Sequence, residues 1–137
     1  MSMKILNLIQ GSDEWKAARA NYFTASEAPA MLGLSKHKSR DQLLREKATG
    51  ITEDVDAAKQ RLFDAGHAAE DAARPIVEKM IGEDLFPATG TREVEGLPLL
   101  ASFDGINMAE DTCWENKLYR SDLAQDIEAG EIDDLYW

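Results

Sequence analysis

Apolar positions change their spacing partway along the chain. Up to Met80 they recur at helical intervals, and beyond it they alternate. In the first part, "SDEWKAARANY" predicts a short helix with Ser12 as N-cap and Asp13 and Glu14 in its first turn. "TASEAPAMLG" offers a capping box, Thr24-x-x-Glu27, with Pro29 near the start and Gly33 as the stop. "LSKHKSR" is a basic loop. "SRDQLLREKATG" then restarts a helix with Ser39 and Gln42 in capping-box spacing and Gly50 at its end. From about Asp56 to Met80 the pattern is helical again. Ala69, Ala72, Ala73, Ile76, Val77 and Met80 form an apolar stripe behind Gly66, and Pro75 is expected to kink or divide the helix.

In the second part, "TREVE", "PLLASFDGI" and "TCWENKL" predict three strands joined by turns. "SDLAQDIEAG" predicts a short acidic helix before the terminal "EIDDLYW". Helices first and a meander after them predict an α+β domain. Its N-terminal helices would pack on a small mixed, mainly antiparallel sheet. A chain of 137 residues suffices for a single domain over residues 1–137.

Composition narrows the function. No stretch approaches the roughly 18 apolar residues of a membrane span, and the N-terminus lacks a signal-peptide pattern. A lone Cys113 excludes an internal disulfide and a cysteine-cluster metal site, and fits a reducing cytoplasm. The formal net charge is −11 and unevenly spread. The first fifty residues carry eight Lys/Arg against five Asp/Glu, and the rest carry seven against twenty-one. Nonspecific DNA binding runs on cations that neutralise phosphates. A DNA function would therefore need the basic first third, or a divalent metal to offset the acids.

One group of acids stands where a sheet should bury Val and Ile. Alternate strand residues share a face, so Cys113, Glu115 and Lys117 point one way and Trp114 and Asn116 the other. The loop "GINMAEDT" is long enough to bring Asp104, at the end of the preceding strand, beside Glu115. Two carboxylates and an ammonium form a hard-oxygen site of the kind Mg²⁺ prefers. Such a metal activates water and holds a scissile phosphate, while a lysine orients the nucleophile and offsets charge. The competing reading of this triplet by itself is a surface salt bridge.

Two further stretches bear on that choice. "QGSDEWKAARANYFTASEAPAMLG" resembles the N-terminal signature of the YqaJ-type viral recombinases, the lambda-exonuclease-like branch of the PD-(D/E)XK nucleases. Gln10, Gly11, Ser12, Glu14, Trp15 and Arg19 match its first block, and Phe23-Thr24-Ala25-Ser26-Glu27 its second. "GHAAEDAAR" resembles the family's G-x-x-x-E-x-x-A-R helix through Gly66, Glu70, Ala73 and Arg74. "FDGI" and "WENK" follow in the family's order, so the likeness spans nearly the whole chain.

The resemblance implies a restriction-endonuclease-like core. It makes Asp104, Glu115 and Glu70 ligands for Mg²⁺ or Mn²⁺, with Lys117 acting on the attacking water or the transition-state charge. It makes Arg19 and Ser26 binders of a DNA 5′-phosphate; a guanidinium bonds phosphate bidentately, and a helix start favours anions. From the residues alone, Glu70 is equally a solvated helix residue, Arg19 a surface residue, and Ser26 an N-cap with Thr24 as rival. His67 reads as a helix-surface or hydrogen-bonded residue and His37 as part of the basic loop. Trp15 reads as core, and Trp114 as packing behind the sheet.

The implied activity is 5′-to-3′ degradation of one strand from linear duplex DNA ends in phage-type recombination. The implied partners are a single-strand annealing protein and further copies of the chain, with no membrane and a cytoplasmic location in a bacterial host. Two features depart from the family. Asn116 stands where an apolar residue is usual, and the sequence stops before the family's Gln-containing helix and further strands. A C-terminally shortened core with an uncovered sheet face predicts oligomerisation or limited stability. Two other readings therefore remain open. One is a non-catalytic homologue that binds a protein partner, as inhibitor or DNA mimic, through Asp122, Asp126, Glu128, Glu131, Asp133 and Asp134. The other is an endonuclease on the same core.

Overall fold

The structure, a computed structural model, describes residues 3–52 and 55–131. The described residues group into two compact units. One comprises those up to Ser26 and those from residue 55 to Asn116; the other runs from Glu27 to residue 52 and from Lys117 onward. Asp133, Asp134 and most of "EIDDLYW" lie outside the described residues.

The first unit is a sheet with two helices. Strands β1 (Lys4–Leu6), β3 (Phe86–Val94), β4 (Leu97–Ile106) and β2 (Phe23–Thr24) lie in the order β1-β3-β4-β2. β5 (Cys113–Trp114) also pairs with β4. All pairings are antiparallel except β2 with β4. With α1 (Asp13–Arg19), α4 (Ala57–Ile81) and the helices of the second unit, this is an α+β fold built on a mainly antiparallel sheet.

The β3–β4 hairpin is the longest pairing and turns through two residues, Glu95 and Gly96. Their φ values of 51° and 80° are those of a primed turn, whose twist matches the strands it joins. The register sets Thr89 opposite Ser102 and Gly90 opposite Ala101. One face of β4 therefore carries Leu100, Ser102 and Asp104, and the other Ala101, Phe103 and Gly105. Leu100 and Thr89 are almost wholly buried. α1 docks on their face: Trp15 Nε1 donates to Ser102 Oγ at 3.0 Å. On the other face, a Cβ on Gly105 would lie 3.0 Å from the Leu85 Cβ and 3.1 Å from the Trp114 ring. The bare glycine is what lets that ring lie close, and Trp114 packs behind the sheet as the alternation predicted. Ile5, Phe23 and Leu99 share this rear face by register, and each is more than a third exposed.

Several expectations are corrected. β1 and β2 escape a pattern reading because three and two residues are too few to alternate. β3 begins at Phe86 rather than Thr91, and accommodates Pro87 at a register shift between Phe86 and Ala88. The third strand is shorter than "TCWENKL", since its ladder ends at Trp114. Pro75 does not divide α4; it lies on an exposed side, where water can reach the carbonyl that its missing N–H leaves. The apolar stripe of α4 is also rotated. Ile76 and Met80 are exposed, while Ala69, Glu70, Ala73, Arg74 and Val77 face inward. Two charged side chains thus replace apolar ones on the packed face.

The second unit contains α2 (Ala28–Met31), α3 (Arg40–Thr49) and α5 (Ser121–Ala129). Ser39 caps α3 by accepting from Gln42 N, as Ser12 caps α1 by accepting from Trp15 N. Ala30 and Leu43 are its buried apolar side chains among the described residues. The Thr24–Glu27 capping box does not form. Thr24 is a strand residue opposite Leu100, a 3₁₀ turn over Ala25–Glu27 precedes α2, and Glu27 pairs with Lys47 at 2.9 Å.

Asn107 holds the connection from β4 to β5. It is buried; its amide nitrogen donates to Glu83 and Asp111, and its oxygen accepts from the backbone nitrogens of Asp111 and Thr112. An Asn107→Ala substitution removes the acceptor of two backbone donors; both belong to exposed residues that water can reach in part, so the loss costs about 1 kcal/mol. The urea midpoint of unfolding should fall correspondingly with little change in slope.

Candidate functional site

Asp104 occupies an opening in the edge of the sheet. β2 pairs with β4 at Leu99 and Leu100, and β5 pairs with β4 at Gly105 and Ile106. β3 takes the opposite edge throughout, so β2 and β5 share one edge with an interval between them. In that interval the Asp104 carbonyl accepts from Arg74 Nη2 at 3.1 Å. Its carboxylate accepts from the backbone N–H of Asn116 at 2.7 Å. The side chain thus takes a donor that a longer β5 would give to the ladder.

The β4–β5 register, continued one residue beyond Gly105–Trp114, sets Glu115 across from Asp104 on the same face. The alternation also persists past the ladder. Glu115 and Lys117 are exposed, whereas Trp114, Asn116 and Leu118 are half-buried. Asn116, in place of an apolar residue, has its backbone nitrogen bound to Asp104. Lys117 begins the second unit.

Glu70 reaches the same place from α4. It is buried and pairs with Arg74 one helical turn on, a close contact to Oε1. His67, exposed one turn earlier, stands 3.6 Å from Oε2. The carboxyl of Glu70 is pushed above its ordinary value, first by burial and then by the negative charge of Asp104; Arg74 and His67 oppose the shift. Two carboxylates therefore stand close enough to repel one another, with a guanidinium between α4 and the strand end. Arg74 fills a position of the G-x-x-x-E-x-x-A-R pattern, and its i, i+4 spacing from Glu70 was the signal for this pairing.

A second cluster lies at the end of α1 within the same unit. Arg19 stacks over the Trp15 ring, 4.5 Å from the centroid. Its Nη2 donates to Ser26 Oγ at 3.1 Å and approaches Thr24 Oγ1 at 3.4 Å. The two hydroxyls are 3.3 Å apart. Trp15 is thus both an anchor to Ser102 and a platform for Arg19. Ser26 does not stand in the first turn of a long helix, since the 3₁₀ turn leads only into the four residues of α2. A phosphate here would rely on the guanidinium and hydroxyls rather than on a helix terminus.

The donors at the strand end are all carboxylate oxygens, which suits a hard divalent cation. Among the described residues no three His, Cys, Asp or Glu side chains converge into a ready cage. One or two carboxylates with water and a substrate phosphate are nevertheless the usual shell of Mg²⁺. Among the described residues no helix is long and apolar enough to cross a membrane.

A model of the YqaJ-like viral recombinase domain matches residues 14–136. Among solved structures, the chain is similar to LHK-Exo in complex with dAMP, with 28% identity and a TM-score of 0.64. It is likewise similar to an alkaline exonuclease (LHK-Exo) from Laribacter hongkongensis, with 28% identity and a TM-score of 0.62. Each alignment covers 91% of this chain and 63% of the other, so the chain spans less than two thirds of the proteins it resembles. No curated protein matches.

The raised carboxyl of Glu70 gives stability a pH dependence. Its folded value lies above the ordinary 4.5. The proton-bound form therefore contributes stability that is complete below the unfolded value and lost as pH rises through the folded one. In EDTA, the stability of the wild type relative to Glu70→Gln should decline as pH is raised from about 4 toward neutrality. Unfolding in urea at a series of pH values measures this, and a flat difference would contradict the assignment.

Proposed function

The chain belongs to the YqaJ-like viral recombinase family, and from that premise we propose that it is a metal-dependent deoxyribonuclease acting on the ends of linear duplex DNA. The observation that carries this reading is that one Arg74 nitrogen reaches both the Glu70 carboxylate and the Asp104 carbonyl at the open edge of β4, with Glu115 across from Asp104 in the continued register. The likeness to a protein described as an alkaline exonuclease, and to its complex with dAMP, supports the same chemistry.

In this reading Asp104, Glu115 and Glu70 hold Mg²⁺ or Mn²⁺. When bound, the metal supplies Lewis-acid activation of water and neutralises charge on the scissile phosphate. Lys117 directs the attacking water with its ammonium and offsets the charge that develops on phosphate oxygens. Arg19, supported by Trp15 and flanked by Thr24 and Ser26, receives a terminal 5′-phosphate and sets which end of the strand enters. That arrangement favours 5′-to-3′ degradation, leaving a 3′ tail for a single-strand annealing protein in phage recombination. The acid excess of the later sequence is then partly the metal site itself.

The test is digestion of 5′-phosphorylated linear duplex DNA with Mg²⁺, with EDTA, and with variants. Lys117→Ala should lower the rate by about 100-fold or more. Arg19→Ala should selectively weaken use of 5′-phosphorylated over 5′-hydroxyl ends by roughly 10- to 100-fold, the worth of a hydrogen bond to a charged group. Cleavage of circular duplex would instead identify an endonuclease. Metal-independent protein binding with no cleavage would favour the partner-binding reading, for which the acids Asp122, Asp126 and Glu128 of α5 are the candidate surface.

A further inference from the structure

Arg74 has more polar contacts at the site than the proposed chemistry uses. Its Nη2 serves both the Glu70 carboxylate and the Asp104 carbonyl, and its Nη1 lies 3.4 Å from Asp71. The side chain is only 17% exposed, and its Nε is buried without a hydrogen-bond partner. An orphaned donor on a buried guanidinium is costly. Its retention indicates that the fork is committed to the acceptors it does reach, of which Glu70 and the Asp104 carbonyl share Nη2 while Asp71 is an exposed neighbour on the same helix. Of the two on Nη2, one belongs to α4 and the other to β4, so a single planar group ties the helix to the strand end. A lysine ammonium, a point donor on a flexible stem, lacks this fork.

The electrostatics add a second function. Glu70 and Asp104 carry like charges at one place, and Arg74 is the guanidinium paired with Glu70. A divalent cation bound there would answer the same need. We infer that Arg74 is a positioning residue that serves as the site's built-in countercharge, holding Glu70 against the end of β4 when no divalent cation is present. Guanidinium and cation are then partly interchangeable in stabilising the folded chain. The inference rests on the metal-site reading proposed above.

Thermal unfolding of the whole chain in EDTA and in millimolar Mg²⁺ tests this without any measure of activity. Wild type should melt higher with Mg²⁺, because a ligand that binds only the folded state stabilises it. Arg74→Gln should melt lower in EDTA by about 5 °C, and Mg²⁺ should recover a good part of that deficit. Its Mg²⁺-induced shift should therefore exceed that of wild type. Arg74→Lys, which keeps the charge but not the fork, should show a lowered baseline with a Mg²⁺ shift near that of wild type.

Equal deficits for Arg74→Gln with and without Mg²⁺ would overturn the inference and leave Arg74 a purely structural tie. A Lys variant shifting as much as the Gln variant would overturn the role of charge. Absence of any Mg²⁺ shift in wild type would instead defeat the metal-site reading, and this inference with it. If Arg74→Gln is unfolded in EDTA, folding on addition of Mg²⁺ supports the exchange of countercharges, and failure to fold contradicts it.

Discussion

The site depends on the register of one hairpin. Side chains on a strand alternate strictly, so a slip of one residue between β3 and β4 would exchange the faces of β4. Leu100, Ser102 and Asp104 would move to the rear, and Ala101, Phe103 and Gly105 to the helices. The two-residue turn at Glu95 and Gly96 prevents this by fixing Val94 opposite Leu97. Glu95 takes a left-handed conformation uncommon for a residue with a Cβ, which the primed turn requires. Trp114 agrees with the parity from the other side, since a side chain at 105 would crowd its ring.

Given that register, the front of the sheet is built from polar groups where a core would ordinarily use methyls. Thr89 and Ser102 approach each other beneath α1, Trp15 donates into Ser102, and Arg19 reaches Thr24. Further along, α4 turns Glu70 and Arg74 inward. Burying a lone carboxylate is expensive, and a guanidinium with good geometry offsets part of that expense. The arrangement sacrifices packing for a set of aimed donors and acceptors, a local conflict with fold-building rules that marks functional sites.

Much of this was legible in the sequence. Ser12 and Ser39 announced their caps, Gly50 marked the end of α3, and the alternation of residues 98–106 gave β4 nearly to its ends. Asp104 and Glu115 could be paired by loop length before their register was known. What stayed hidden depended on partners distant in the chain. Thr24 looked like a cap because a capping box is local, whereas its place opposite Leu100 is decided some seventy-five residues later. The inward face of α4 was misjudged because hydrophobicity ranks Ile76 above Arg74, and nothing local states that a carbonyl on β4 awaits a guanidinium. β5 was overextended because an alternating pattern cannot reveal that a side chain will take a ladder donor.

That substitution of side chain for ladder has a consequence for genetics. The Asp104 carboxylate is the acceptor that holds the Asn116 amide, and the same short segment carries Glu115 and leads into Lys117. An alanine allele at 104 removes a charge and also releases the segment on which its neighbours depend. Any loss of function in it would conflate two lesions. Asparagine at 104 keeps an oxygen acceptor for that amide while discarding the charge, so comparing it with alanine separates the two lesions.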